Sequence, residues 1–150
     1  MSDEERKNKT LIFSGRIDSK IRTDFFALVE KLKGKMQIVV EEGFLSYERL
    51  NDFCYSSDFL LVLYENVCQS SGTIGYGAFF EKPVLGPSKG LLGNLIKEYS
   101  LGVVLDCINP KNVKTAMCSL PSPKENDYCK SHTIDAFCKI LFRWQRLIGI

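Results

Sequence analysis

The sequence predicts an α/β domain, a doubly wound parallel sheet of Rossmann-like type finished by a carboxy-terminal helix. Three observations predict it: short apolar runs bounded by glycine or proline, helical-period segments between those runs, and a final stretch whose apolar residues fall on one side. Strands that alternate with helices at this spacing must pair in parallel, because each helix carries the chain back over a face of the sheet.

The first run, Thr10 to Ile17, ends in glycine and serine punctuation and reads as a buried strand that turns at Gly15. Ile21, Phe25, Leu28, Val29 and Leu32 then recur at helical spacing, and Gly34 is the stop signal. Residues 36–40 read as the second strand. Ser46 is placed to cap a helix carrying Tyr47, Leu50, Phe53 and Cys54. Residues 59–64 form the third apolar run, and the polar turn with Ser70, Ser71 and Gly72 opens a helix through about Phe80. Residues 83–86 read as the fourth strand, 90–99 as a short helix and 102–105 as the fifth strand. Asn109 and Pro110 begin the next helix, since proline suits the first helical position.

Residues 121–130 are rich in Pro, Ser, Lys, Glu and Asn and read as an exposed loop. Beyond it Ile134, Phe137, Cys138, Leu141 and Trp144 share one side of a last helix, expected over about residues 131–147. That face either packs on its own domain or covers a partner domain. His132 is expected at the surface, beginning this helix. Residues 1–9 are polar and charged and are expected to be a disordered start, which leaves 10–150 as the domain.

Composition narrows the classes of function. The chain has 150 residues, enough for one domain with a real core. A charged fraction of 25% and a net charge of +2, with both signs interspersed, argue against nucleic acid as the main partner. An anion would bind at a local site. Six cysteines without CxxC or Cys/His ligand spacing, and no signal peptide, point to free thiols and a cytoplasmic location. One histidine leaves little from which to build a Ser-His-Asp triad or a multi-histidine metal site.

Ligands of open α/β sheets lie beyond the carboxyl ends of the strands, and three such segments suit a phosphate. After the first strand, Arg16 and Lys20 flank a small turn and bring a guanidinium fork and an ammonium together. After the third, Ser70, Ser71, Gly72 and Thr73 lie where a helix begins, with backbone amides and hydroxyls facing outward; simple capping explains the same residues. After the fourth, Gly86 to Gly90 allow close backbone approach, or make a tight connection and nothing more. Glu65 directly follows the third strand. A carboxylate there would repel phosphate but accept hydrogen bonds from sugar hydroxyls.

In order and spacing, the series SGRIDSK, GFLSYERLNDFCYSSDFLLVLYEN, QSSGTIGYGAFFEKPVLGP and KGLLGNLIKEYSLGVVLD resembles the carboxy-terminal donor domain of retaining GT-B glycosyltransferases of the group-1 or family-4 type, over residues 11–120. The resemblance implies that Arg16 and Lys20 hold the donor diphosphate, together with Ser70, Ser71 and Gly72. It also implies that Glu65, matching the first acid of the family's Glu-x7-Glu motif, contacts the donor sugar. Thr73 stands at the second acid, where the ribose is held; a hydroxyl bonds ribose less strongly than a carboxylate. Lys82, Pro83 and Val84 match the family's "KPV" strand entry.

The function so implied is a hexosyltransferase-type enzyme binding a nucleotide-diphosphate sugar and serving a polysaccharide or glycolipid acceptor. No metal or other cofactor is expected, because Arg16, Lys20 and helix amides neutralise the diphosphate and no DxD-type acidic pair is seen after a strand. The acceptor-binding amino-terminal domain is missing from these residues, so the chain alone would be inactive, and the full enzyme could associate peripherally with a membrane. The alternatives are a non-catalytic binding or interaction module that kept the fold, and a flavodoxin-like receiver, which the lack of an acidic cluster after the first strand disfavours.

Overall fold

The computed structural model describes residues 7–64, 71–121, 126–136 and 139. The chain divides into two compact units, Met1–Phe53 and Cys54–Ile150. The expected α/β alternation with parallel strands is present in both, and the hydrogen-bond ladders group the strands into two small sheets, one in each unit.

In the first unit β1 (Thr10–Gly15) pairs in parallel with β2 (Gln37–Glu42), from Thr10 opposite Gln37 to Gly15 opposite Glu42. The second strand runs further than the expected 36–40, because the ladder continues until Gly15 and Gly43 turn both chains away at positive φ. Alternation puts Leu11, Phe13, Ile38 and Val40 on one face. The intervening helix α1 (Arg22–Leu32) covers that face, with Phe25 meeting Phe13 edge to face at 4.9 Å. Gly34, at φ 79°, ends it as its sequence position predicts. Helix α2 (Tyr47–Ser56) starts where Ser46 Oγ accepts the Arg49 amide at 3.2 Å, and it runs across the boundary between the units.

In the second unit β3 (Leu60–Leu61), β4 (Val84–Pro87) and β5 (Gly102–Leu105) form a parallel sheet in that order. The ladder of β3 is shorter than the expected 59–64. It continues through the Val62 amide to Leu85 O and then stops, because the Tyr64 amide turns back onto Val62 O at 2.9 Å. Helices α3 (Gly72–Phe79), α4 (Gly90–Glu98) and α5 (Pro110–Cys118) follow the three strands in turn.

Side-chain alternation assigns these helices to two faces. Val62, Val84 and Val104 look toward α3 and α4, where Ile74, Ala78, Leu92 and Ile96 complete the main core. Leu63, Leu85, Val103 and Leu105 look the other way, toward Ala116, Val113 and Met117 of α5. A parallel sheet covered on both faces explains why its strands read as continuous apolar runs rather than alternating ones.

The carboxy-terminal region corrects an expectation. A short helix, α6 (Tyr128–Ser131), begins inside the stretch read as an exposed loop, and His132 ends it instead of starting the last helix. Burial decides this: the Tyr128 ring joins the main core, Asn126 Oδ1 accepts its amide, and the Asn126 side chain bonds Ala78 O at the end of α3. His132 is exposed as expected, but it stacks on Tyr128 at 4.0 Å. Residues 134–136 are helical again, with Ile134 81% exposed. Phe137, Cys138, Leu141 and Trp144 lie outside the described residues.

Candidate functional site

A parallel sheet brings every strand's carboxyl end, and the start of each following helix, to one edge. In the second unit that edge carries the starts of α3, α4 and α5 together with the tip of β3. Ser71 caps α3: its Oγ accepts the Thr73 amide at 3.2 Å, and it lies 3.3 Å from the Tyr64 hydroxyl. Capping is thus the immediate job of Ser71, and the adjacent Gly72, an exposed residue, carries a first-turn amide that the helix itself does not satisfy. Tyr64 brings a hydroxyl that the sequence does not announce, because it ends an apolar run.

Asn109 caps α5 by accepting the Asn112 amide at 2.9 Å, while Lys89, the residue before α4, makes no side-chain cap. Glu65 and Ser70, expected at the donor sugar and the diphosphate, lie outside the described residues.

Arg16 and Lys20 belong to the first unit, just past the carboxyl end of β1, and both are exposed. Asp18 shapes the turn that carries them: its Oδ1 accepts the Lys20 amide at 2.8 Å and its carbonyl accepts the Ile21 amide at 3.1 Å. Among the described residues neither cation has a side-chain partner. An exposed cation is well screened, so one alone would hold a phosphate weakly and the two together more firmly.

Four charged residues that sequence reading passed over surround the same strand ends. Glu41 and Glu42 close β2 on opposite faces; Arg49 donates to Glu41 at 2.9 Å, and Arg22 pairs with Glu42. The adjacent acids could have drawn attention as a carboxylate pair after a strand. Alternation separates them, and each is engaged by its own arginine, so they do not converge as a chelating pair. Among the described residues no cluster of three or more His, Cys, Asp or Glu could hold a metal.

The groups whose ionisation is displaced lie in the core of the second unit. Burial pushes the Cys54 thiol up, and burial, then Cys129 and Tyr99, push the Tyr128 hydroxyl up. The four described cysteines, Cys54, Cys107, Cys118 and Cys129, are free thiols. Among the described residues no helix is long and apolar enough to cross a membrane.

Models of protein families, curated proteins and solved structures give no match to this chain.

Proposed function

We propose that the chain is the donor-binding part of a retaining GT-B-type glycosyltransferase, taking a nucleotide-diphosphate sugar. The observation that carries this reading is the carboxyl edge of parallel strands, where the start of α3 is capped by Ser71 and its first-turn amides can supply donors for an anion. Arg16 and Lys20, both exposed after β1, support it as the cations of the diphosphate. In this reading Ser70, Ser71 and Gly72 give the phosphates hydroxyl and amide donors, Glu65 accepts from the sugar, and Thr73 bonds the ribose. A doubly wound, Rossmann-like arrangement of the five strands belongs to the same proposal.

In the complete enzyme the negative charge that grows on the departing diphosphate would be met by Arg16, Lys20 and the helix amides. No metal is required in that scheme. The acceptor would be held by an amino-terminal domain, on a polysaccharide or glycolipid pathway of the cytoplasm that could bring the enzyme to a membrane surface.

Thermal unfolding with UDP, GDP and ADP, and then with their sugar conjugates, tests the reading. A ligand at 100 times its dissociation constant stabilises by roughly 2.7 kcal/mol, which a melting curve resolves. Arg16→Ala should weaken the response to every diphosphate, whereas Glu65→Ala should spare the nucleotide and weaken only the conjugate. No response to any diphosphate would sink the proposal. Binding without transfer, even after an acceptor domain is supplied, would identify a non-catalytic module instead.

A further inference from the structure

We infer that Ser88, with the first turn of α4, forms a phosphate-binding subsite within the second unit. Ser88 is the buried polar residue of this unit's core, only 7% exposed, and among the described residues its hydroxyl has no hydrogen-bond partner. No side-chain polar atom among the described residues is sealed away both from a partner and from solvent, so this hydroxyl opens outward.

Its direction follows from the strand. The Ser88 amide continues the ladder, donating to Leu105 O at 2.9 Å. Two residues earlier, a Cβ on Gly86 would meet Val62 and Ile96, on the face of α3 and α4. Alternation puts the Ser88 side chain on that same face, at the edge where α4 begins.

The helix start beside it is prepared for an anion. Lys89 lends no side-chain cap, so the first-turn amides of Gly90 and Leu91 have no side-chain acceptor among the described residues. Gly90 sits at φ 70°, which turns the chain sharply into the helix. Lys89 itself is exposed and carries positive charge. The loop is held firmly: the Ser88 carbonyl accepts from Lys97 Nζ at 2.7 Å, and its backbone lies against Gly93 so closely that a Cβ there would come within 2.4 Å.

An uncharged hydroxyl donor, the amides that begin α4 and the adjacent Lys89 are groups that suit a phosphoryl group. The inference rests on the donor-binding reading only in that a diphosphate is common to all its candidate ligands. It adds a contact from the strand after which that reading assigns none.

Calorimetric titration of the full chain with inorganic pyrophosphate tests it, beside Ser88→Ala, Ser88→Cys, Lys89→Ala and Arg16→Ala. Each Ser88 variant should weaken binding about tenfold and Lys89→Ala about threefold, the scale of a hydrogen bond to a charged group and of an exposed cation. Urea unfolding of the same variants separates a structural role: altered stability with unchanged affinity overturns the subsite. Binding lost in Arg16→Ala but intact in both Ser88 variants also overturns it, while leaving the donor-binding reading standing. Pyrophosphate binding that depends on Ser88, with no response to any sugar nucleotide, supports the subsite and removes the donor-binding reading.

Discussion

Gly93 and Gly72 both lie in the first turn or so of a helix, yet a methyl group should have opposite consequences at the two. At Gly93 it would strike the Ser88 carbonyl carbon and oxygen at 2.4 Å, whereas at Gly72 nothing lies within 4 Å. Gly93→Ala should therefore cost about 1–3 kcal/mol in urea unfolding, as overpacking against backbone does, while Gly72→Ala should be neutral or slightly stabilising. Leucines divide in the same way. Leu92 is fully buried and Leu28 is 54% exposed, so Leu92→Ala should cost about 2–5 kcal/mol and Leu28→Ala well under that. Neither distinction is visible in the sequence, where each residue simply occupies a helical position.

Among the elements, helix starts were the most legible features. Ser46, Ser71 and Asn109 each accept an amide of the following turn, as their residue types predict. Ser71→Ala and Asn109→Ala should each lower unfolding stability by about 1 kcal/mol, readable as a shift in the urea midpoint. Strand ends were less legible. β2 ran past its apolar residues into Glu41 and Glu42 because a neighbouring backbone ladder, and not side-chain hydrophobicity, determines how far a strand continues. The same competition put the short helix α6 inside a stretch whose composition reads as loop: burial of Tyr128 and the Asn126 bonds outweighed it.

At the scale of the whole molecule, burial is uneven. Of the apolar side chains buried in the described core, Val29 alone belongs to Met1–Phe53, and the rest belong to the second unit. Native-state hydrogen exchange should therefore be slowest in β4, β5 and α4 and clearly faster in β1 and β2. Equal protection in both sheets would contradict this distribution of core. Alkaline pH should also weaken the second unit. Below the ordinary thiol value of 9.0 Cys54 is protonated whether folded or not; above it the unfolded thiol ionises while the buried one keeps its proton. Tyr128 acts likewise from its ordinary value of 10.0. The urea midpoint should fall from about pH 8 to about pH 10.5, and Cys54→Ala should make the fall shallower.

By itself the sequence determined the α/β class, the parallel pairing, the order of the elements and the caps that begin the helices, because those follow from local periodicity and from what one residue offers its neighbours. It also singled out Arg16, Lys20 and the Ser71 turn as candidates for holding an anion. Only the tertiary structure decided which hydroxyl oxygen serves a helix and which does not: Ser71 Oγ accepts the Thr73 amide, whereas Ser88, in a segment equally readable as a tight connection, has no side-chain partner among the described residues. Whether a polar group is spent depends on what tertiary packing brings against it, as Leu105 takes the Ser88 amide and Lys97 donates to its carbonyl, and no local pattern encodes where such partners will arrive.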